Sequence, residues 1–269
     1  RGYVNSLTWL LHCAGFTGTV TAGDGVITDP DAATIPTGAY RWVFTKRTGL
    51  SAKTMQMLLN YTTHGVFAKG QGVGVSSLAM NGDGAVTAEL MGLVYANTAD
   101  PDITPAYDSA SIPPPRRGDL TVTWLGGSGT TDDFSFTIAN PLVRRRTFTL
   151  ATPSYFPDVL EQGDEKVRVT GSIPKSKLAD ADIDALVAAT AFSATARWKL
   201  PTNIGATSYK YSIWLEMPKA QYTAGSPDPL ANRRRFGGSF DFWAAWDFGQ
   251  GFDAKITLVN AVDAIETYA

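Results

Sequence analysis

Along most of this chain apolar and polar residues alternate with a period of two, the pattern of half-buried strands. "YRWVFTK" (40–46) puts Tyr40, Trp42 and Phe44 on one face and Arg41 and Val43 on the other. "TMQMLLNYT" (54–62) groups Met55, Met57 and Leu59 in the same way. The stretch "GVGVSSLAMNGDGAVTAELMGLVYA" (72–96) predicts a hairpin: Val73, Val75 and Ser77 point one way, Leu78 and Met80 the other. On the return, Val86, Ala88, Leu90 and Val94 alternate with Thr87, Glu89, Met91 and Tyr95. Between them "NGDG" (81–84) supplies residues that tolerate positive φ, so the chain can reverse tightly. Both faces of this hairpin are apolar or small, which predicts cover on both sides.

Further strands are predicted at "DLTVTWLGG", "DDFSFTIANPL", "RRRTFTLAT", "KVRVTGSIP", "ATARWKL", "YKYSIWLEM", "SFDFWAAWDF" and "AKITLVNAV". One segment has a helical period: "DADIDALVAAT" (180–190), capped by Asp180 or Asp182, with Ile183, Leu186, Val187 and Thr190 on one stripe. The apolar "LTWLLHCAGF" (7–16) reads as a short buried helix or strand. Residues Asp24 to Gly38 form a loop rich in Asp, Pro and Thr. From Asn97 to Gly118 the composition shifts to Pro, Asp and Ser without periodicity, a linker or extended arm. These elements predict a mainly β sandwich or barrel with one short helix and extended loops or an arm. Residues 1–96 form a first half and 119–269 a second, joined by 97–118 or merged into one composite domain.

The 269 residues suffice for a sizeable core, and 44% hydrophobic with 18% charged residues describes a folded chain. The charged share is low, so much of the surface is uncharged or buried against neighbours. A formal net charge of -2 gives no global field for gripping nucleic acid. A single cysteine, Cys13, excludes an intrachain disulfide framework and a cysteine-based zinc cluster. No apolar run approaches the roughly 20 residues of a membrane-spanning helix, so no membrane partner is expected.

No motif carries chemistry by itself. His12 and His64 are the only histidines and lie in different elements, so neither a triad nor a metal site is expected of them. "SIPK" (172–175) has the serine-x-x-lysine spacing of penicillin-recognising enzymes, but Pro174 sits where that serine's helix would continue. "NGDG" lacks the acidic ladder of a calcium loop, and "GGSG" (126–129) lacks the lysine of a phosphate loop; a turn and a loop are expected. The tryptophans, among them Trp198, Trp214, Trp243 and Trp246, are expected in core or interface packing rather than as sugar platforms. Catalytic residues, cofactors and metals are therefore all expected to be absent.

Basic clusters occur at Arg116–Arg117, Arg144, Arg145 and Arg146, and Arg233, Arg234 and Arg235. Each reads as a solvated loop, as a contact surface pairing with carboxylates of a neighbouring chain, or as a grip on nucleic acid, the last weakened by the acidic balance and the lack of a base-reading motif.

The order of these segments resembles the tail tube proteins (major tail proteins) of long-tailed bacteriophages. The likeness runs from "LTWLLHCAGFTG" through "YRWVFTK", "TMQMLLNY" and "GQGVGVSSLAMNGDGAVTAELMGLVY". It continues with "FSFTIANPL", "KVRVTGSIPKSKLADADIDAL", "YSIWLEMPKAQYTAG" and "AKITLVNA". The resemblance implies a structural protein of the virion tail, and no enzyme. Its chains associate with themselves into rings and stacked rings, alongside other tail proteins, around a lumen through which DNA passes without specific binding. Three chains form a ring if both halves are tube modules; otherwise six are needed. On this reading Val75, Leu78, Val86 and Leu90 are assembly positions, and the arm contacts neighbouring subunits. Arg144–Arg146 and Arg233–Arg235 face partners or the outer surface, because arginines lining the lumen would bind phosphates. A carbohydrate-binding or adhesion β-sandwich and a β-rich hydrolase are the alternative readings.

Overall fold

The structure is a computed structural model. It describes residues 4–47, 52–61, 66–92, 94–98, 115–125, 127–129, 134–145, 148–149, 152–153, 159–163, 167–175, 180–228 and 237–265. The fold is mainly β: fourteen of the described strands form one curled antiparallel sheet, a sandwich-like or barrel-like arrangement.

Its path runs β1 (Phe16–Ala22), β2 (Tyr40–Lys46), β18 (Lys255–Asn260), β16 (Lys210–Asp228), β17 (Gly237–Ala244), β14 (Arg168–Lys175), β9 (Ser135–Ala139), β4 (Val66–Asn81) and β3 (Met55–Tyr61). β15 (Phe192–Asn203) joins β16 and carries β7 (Leu120–Trp124), and β7 carries β8 (Gly127–Gly129). β5 (Val86–Met91) and β6 (Val94–Thr98) both flank β4. The expected loop at 126–129 is thus, over Gly127–Gly129, a short strand paired to β7. Residues from both sides of the 97–118 segment share the sheet, since β2 pairs β18 and β4 pairs β9.

Two long strands give the sheet its curl. Residues 212–216 of β16 lie between β18 and β15, whereas residues 220–228 pair with β17. β4 likewise pairs β3 and β6 with its first half, and β5 and β9 with its second.

The apolar segment at the start resolves as helix α1 (Val4–Cys13), because Val4, Leu7, Thr8 and Leu11 are buried at helical spacing. The Arg47 guanidinium donates to the carbonyls of His12 (2.8 Å) and Phe16 (2.9 Å) at the helix end. Asn260 Nδ2 donates to Thr8 Oγ1 at 2.8 Å and ties the helix to β18.

The alternation expected in β2 holds: Trp42 and Phe44 are buried and stack with centroids 5.8 Å apart. Trp198 lies in the core against Phe134 and Phe136, and Phe192, Tyr222, Phe240 and Phe242 form a second aromatic group. β18 is buried on both sides. Ile256 and Leu258 face the core, while the opposite face lies under the loop Gly23–Gly38. Arg41 on β2 donates to the Thr28 carbonyl at 2.6 Å, and Arg197 on β15 pairs with Asp31. These arginines flank β18 and β16, so the loop crosses that strip, covering Ser212, Trp214, Thr257 and Val259.

Helix α2 (Asp180–Val187) forms where the sequence predicts it, and Leu186 of the expected stripe packs against the core. Ala185 is buried, whereas Val187 and Thr190 face solvent. The helix lies against β16, and one turn of its short length suffices for that contact.

Candidate functional site

The hairpin of β4 and β5 is the region singled out by the sequence, and its geometry turns on one residue. Val75 is opposite Leu90 and Ser77 is opposite Glu89, so Ser76 is an extra residue in β4, a β-bulge. A one-residue insertion inverts the side-chain parity that follows it. Val73 and Val75 before the bulge, and Leu78 and Met80 after it, therefore all point into the core. The expectation that Leu78 and Met80 take the face opposite Val73 and Val75 is corrected on this ground. The other face carries Ser77 and Ala79, which are half-buried.

Asn140 secures the bulge. Its backbone N–H donates to the Ser76 carbonyl at 2.8 Å and its Nδ2 to the Val75 carbonyl at 2.8 Å. The turn forms as expected: Asn81 N–H donates to Ala85 O (3.0 Å) and Gly84 N–H to Asn81 O (2.8 Å), with Ala85 N–H on Asp83 Oδ1 (2.9 Å). Gly84 has φ 76° and lies so close to the Pro115 carbonyl that no side chain fits there.

A separate two-stranded sheet, β10 (Leu142–Arg145) with β13 (Val159–Gln162), sits against β4. Gly74 admits it: an added Cβ would stand 2.6 Å from Leu160 Cδ2 and 2.7 Å from Leu142 Cδ1. Leu142 and Leu160 are buried in this contact, whereas Val143, Arg144 and Arg145 are exposed. Arg145 Nε pairs with Glu161 Oε2 at 2.8 Å, an exposed pair of small energetic weight.

Among the described residues β5 pairs with β4 alone, so its other edge is open. Val86 and Ala88 are half-buried against the core, but Leu90 keeps 39% of its surface exposed. Of the assembly positions named from the sequence, Val75 and Leu78 are therefore occupied in the subunit's own core. Leu90 on β5 and Arg144 and Arg145 on β10 are exposed, but the structure does not bring them together: Leu90 shares the face of Val75, whereas β10 packs on the face of Gly74. Arg146, Arg233, Arg234, Arg235 and residues 99–114 of the arm lie outside the described residues.

The chemistry-bearing side chains stay apart. His12 is on α1, where burial first, and Arg47 and Lys53 next, hold its imidazole below the usual value; His64 lies outside the described residues. Ser172 and Lys175 both lie on β14, a strand rather than the helix that the serine-x-x-lysine motif needs. Burial pushes the Cys13 thiol up to about 11, against a smaller pull from Arg47. Among the described residues no three metal-binding side chains gather, and no helix is long and apolar enough to cross a membrane.

A second exposed apolar region lies at the end of β17. Phe240, Phe242 and Ala244 face the core, so Asp241 and Trp243 face out, and Trp243 is 38% exposed. Trp246 (47%) and Phe248 (89%) follow in the turn that Asp247 and Phe252 close. Trp198 and Trp214 are core residues as expected, but Trp243 and Trp246 are outside the subunit core. Asp241 was the signal available in the sequence: a carboxylate two residues before Trp243 marks the solvent face of an alternating strand. No known protein-family model matches the chain, and no curated protein is similar to it.

Proposed function

We propose that this chain is a structural virion protein that polymerises as stacked rings into the tail tube of a long-tailed bacteriophage. The tube is the conduit for DNA delivery, and the protein acts without enzymatic chemistry or a cofactor. The observation that carries the reading is the edge of β5 that no described strand pairs, with the half-exposed Leu90 on it. An open edge strand templates pairing with another chain unless something covers it, and closure into a ring removes it. The order of segments along the chain, which resembles that of tail tube proteins, supports the same reading.

Electron microscopy of the purified protein tests it: rings or hollow tubes are expected, with three or six chains per ring by native mass spectrometry. Leu90→Asp places a charge at the open edge and is expected to stop tube growth while leaving the subunit folded. Tubes of normal length from that variant would remove β5 from the interface. The second reading, a carbohydrate-binding or adhesion module, is favoured by the exposed rings of Trp243 and Trp246. It predicts monomers that bind glycan arrays.

A further inference from the structure

At the end of the sheet path away from β4 and β5, among the described residues β1 pairs β2 alone. Gly15 O accepts from the Arg47 N–H (2.9 Å), and the Gly23 N–H donates to Ala39 O (2.8 Å). Thr17, Thr19 and Thr21 share that parity and turn their backbone groups to β2, so the residues between them turn theirs to the open edge. The Arg47 guanidinium takes the Phe16 carbonyl there, which leaves Gly18, Val20 and Ala22. Their side-chain positions share the face of Trp42 and Phe44: Gly18 lies against the Phe44 ring, and Val20 is 37% exposed. Edge strands are ordinarily guarded by charge, proline or a bulge, and "FTGTVTA" has none of these.

The free edge of β5 has the same construction. The Asn81 N–H donates to Ala85 O, and the register carries that parity to Thr87 and Glu89. Val86, Ala88 and Leu90 therefore turn their N–H and C=O groups away from β4. Their side chains also lie on the core face, opposite Met80, Leu78 and Val75.

One antiparallel register between two copies uses every free residue on both edges. It sets Gly18 opposite Leu90, Val20 opposite Ala88 and Ala22 opposite Val86. Each pair joins a small residue to a branched one, so Leu90 gains a place over Gly18 and Val20 one over Ala88. A shift of two residues either way leaves a free residue unpaired on one edge or brings in Phe16, whose carbonyl is already taken. On the other face Thr19 meets Glu89 and Thr21 meets Thr87, which opposes no like charges.

We propose that β1 of one copy of this chain pairs with β5 of the next in this register and continues the sheet from subunit to subunit. The proposal rests on the self-assembly reading above and gives the β5 edge its partner. A β1–β1 pair across a two-fold axis would leave β5 open. Head-to-tail pairing occupies both edges of every subunit and generates a ring when the rotation closes.

Cysteine cross-linking reads the register. Thr21 and Thr87 form a non-hydrogen-bonded pair in it, the kind that brings Cβ atoms close enough for a disulfide. Cys13, the only native cysteine, is buried. Thr21→Cys and Thr87→Cys, mixed and oxidised, are expected to give a cross-linked dimer, and the double variant a ladder of multimers. Thr17→Cys mixed with Thr87→Cys is out of register and is expected to run as a monomer on a denaturing gel. Val20→Pro removes an N–H on the open edge. It is expected to raise the concentration needed for assembly by about tenfold, by mass photometry, without lowering the unfolding midpoint. Wild-type rings or tubes without the Thr21–Thr87 cross-link overturn the proposed contact and leave the tail tube reading standing. Thr21→Cys that cross-links to itself in preference to Thr87→Cys assigns β1 to a two-fold contact and overturns the proposal. A wild-type protein that stays monomeric at every concentration overturns both.

Discussion

Asn140 holds Val75: its Nδ2 donates to the Val75 carbonyl at 2.8 Å while its backbone N–H takes the carbonyl of Ser76. Both acceptors belong to the bulge that reorients β4, and Asn140 is almost wholly buried. Asn140→Leu removes the side-chain donor and leaves the Val75 carbonyl without it in a buried site. A loss of about 1–3 kcal/mol is expected, read from urea unfolding. Asn140→Asp should cost more than Asn140→Leu at neutral pH, because it buries an unpaired carboxylate facing the Val75 carbonyl.

Gly74 is the seat of the β10–β13 sheet. Gly74→Val should push Leu142 and Leu160 away and lower stability by about 1–3 kcal/mol. Limited proteolysis is the more direct measure, with cleavage within residues 142–162 expected to quicken before the main sheet opens. Equal protection in variant and wild type would show that the small sheet holds on by other contacts.

The loop Gly23–Gly38 is fastened by Tyr209, whose hydroxyl donates to buried Asp29, and by the Arg197–Asp31 pair. Asp29 Oδ1 in turn accepts from the N–H groups of Asp31 (2.9 Å) and Ala33 (2.8 Å). Tyr209→Phe leaves that carboxylate one donor short, at an expected cost of about 1–3 kcal/mol. Hydrogen exchange should rise first in residues 24–36, ahead of β18 and β16 beneath them.

Stability should fall on both sides of neutral pH. Burial pushes the Cys13 thiol from 9.0 to about 11, and burial together with the Asp29 hydrogen bond also raises Tyr209. Both groups stay neutral in the folded chain while the unfolded chain ionises, so their contribution is intact below about pH 9 and is lost as pH climbs. Cys13 accounts for about 2–3 kcal/mol of that loss by pH 11, and Cys13→Ala should flatten this part of the profile. The depressed His12 works in reverse, its contribution disappearing as pH drops below 6.5. Urea midpoints at pH 5, 7.5 and 10.5 separate the two limbs.

Strand alternation made β2 and β14 legible, because Trp42 and Phe44, or Val169 and Ile173, keep one parity from end to end. β4 broke the method: the inserted Ser76 has no residue signature, and its effect is seen only when β5 and β9 fix the register. The apolar run 7–16 was ambiguous between helix and strand, and the burial of Thr8 beside Leu7 and Leu11 resolves it. Val187 fits an apolar stripe by spacing, yet α2 is short and rests on β16 through other positions. The loop 24–38 could be read as a loop, but its role as a cover depends on Arg41 and Arg197, which lie far apart in the chain. Trp243 and Trp246 show the limit of composition: aromatic residues in a strand are apolar wherever they point.

β18 lies between β2 and β16, with Thr257 opposite both Val43 and Trp214, and Trp42 Nε1 donates to the Val262 carbonyl at 2.7 Å. A strand near residue 258 therefore fills the place beside one near residue 43. During synthesis, at roughly 5–20 residues per second, the early strand waits on the order of ten to forty seconds for its neighbour. Until then Trp42 and Phe44 have no finished core to enter, and chains that stop short of Lys255 leave β2 and β16 exposed to one another's copies. Translation itself thus sets a checkpoint: this sheet is complete only once β18 has left the ribosome.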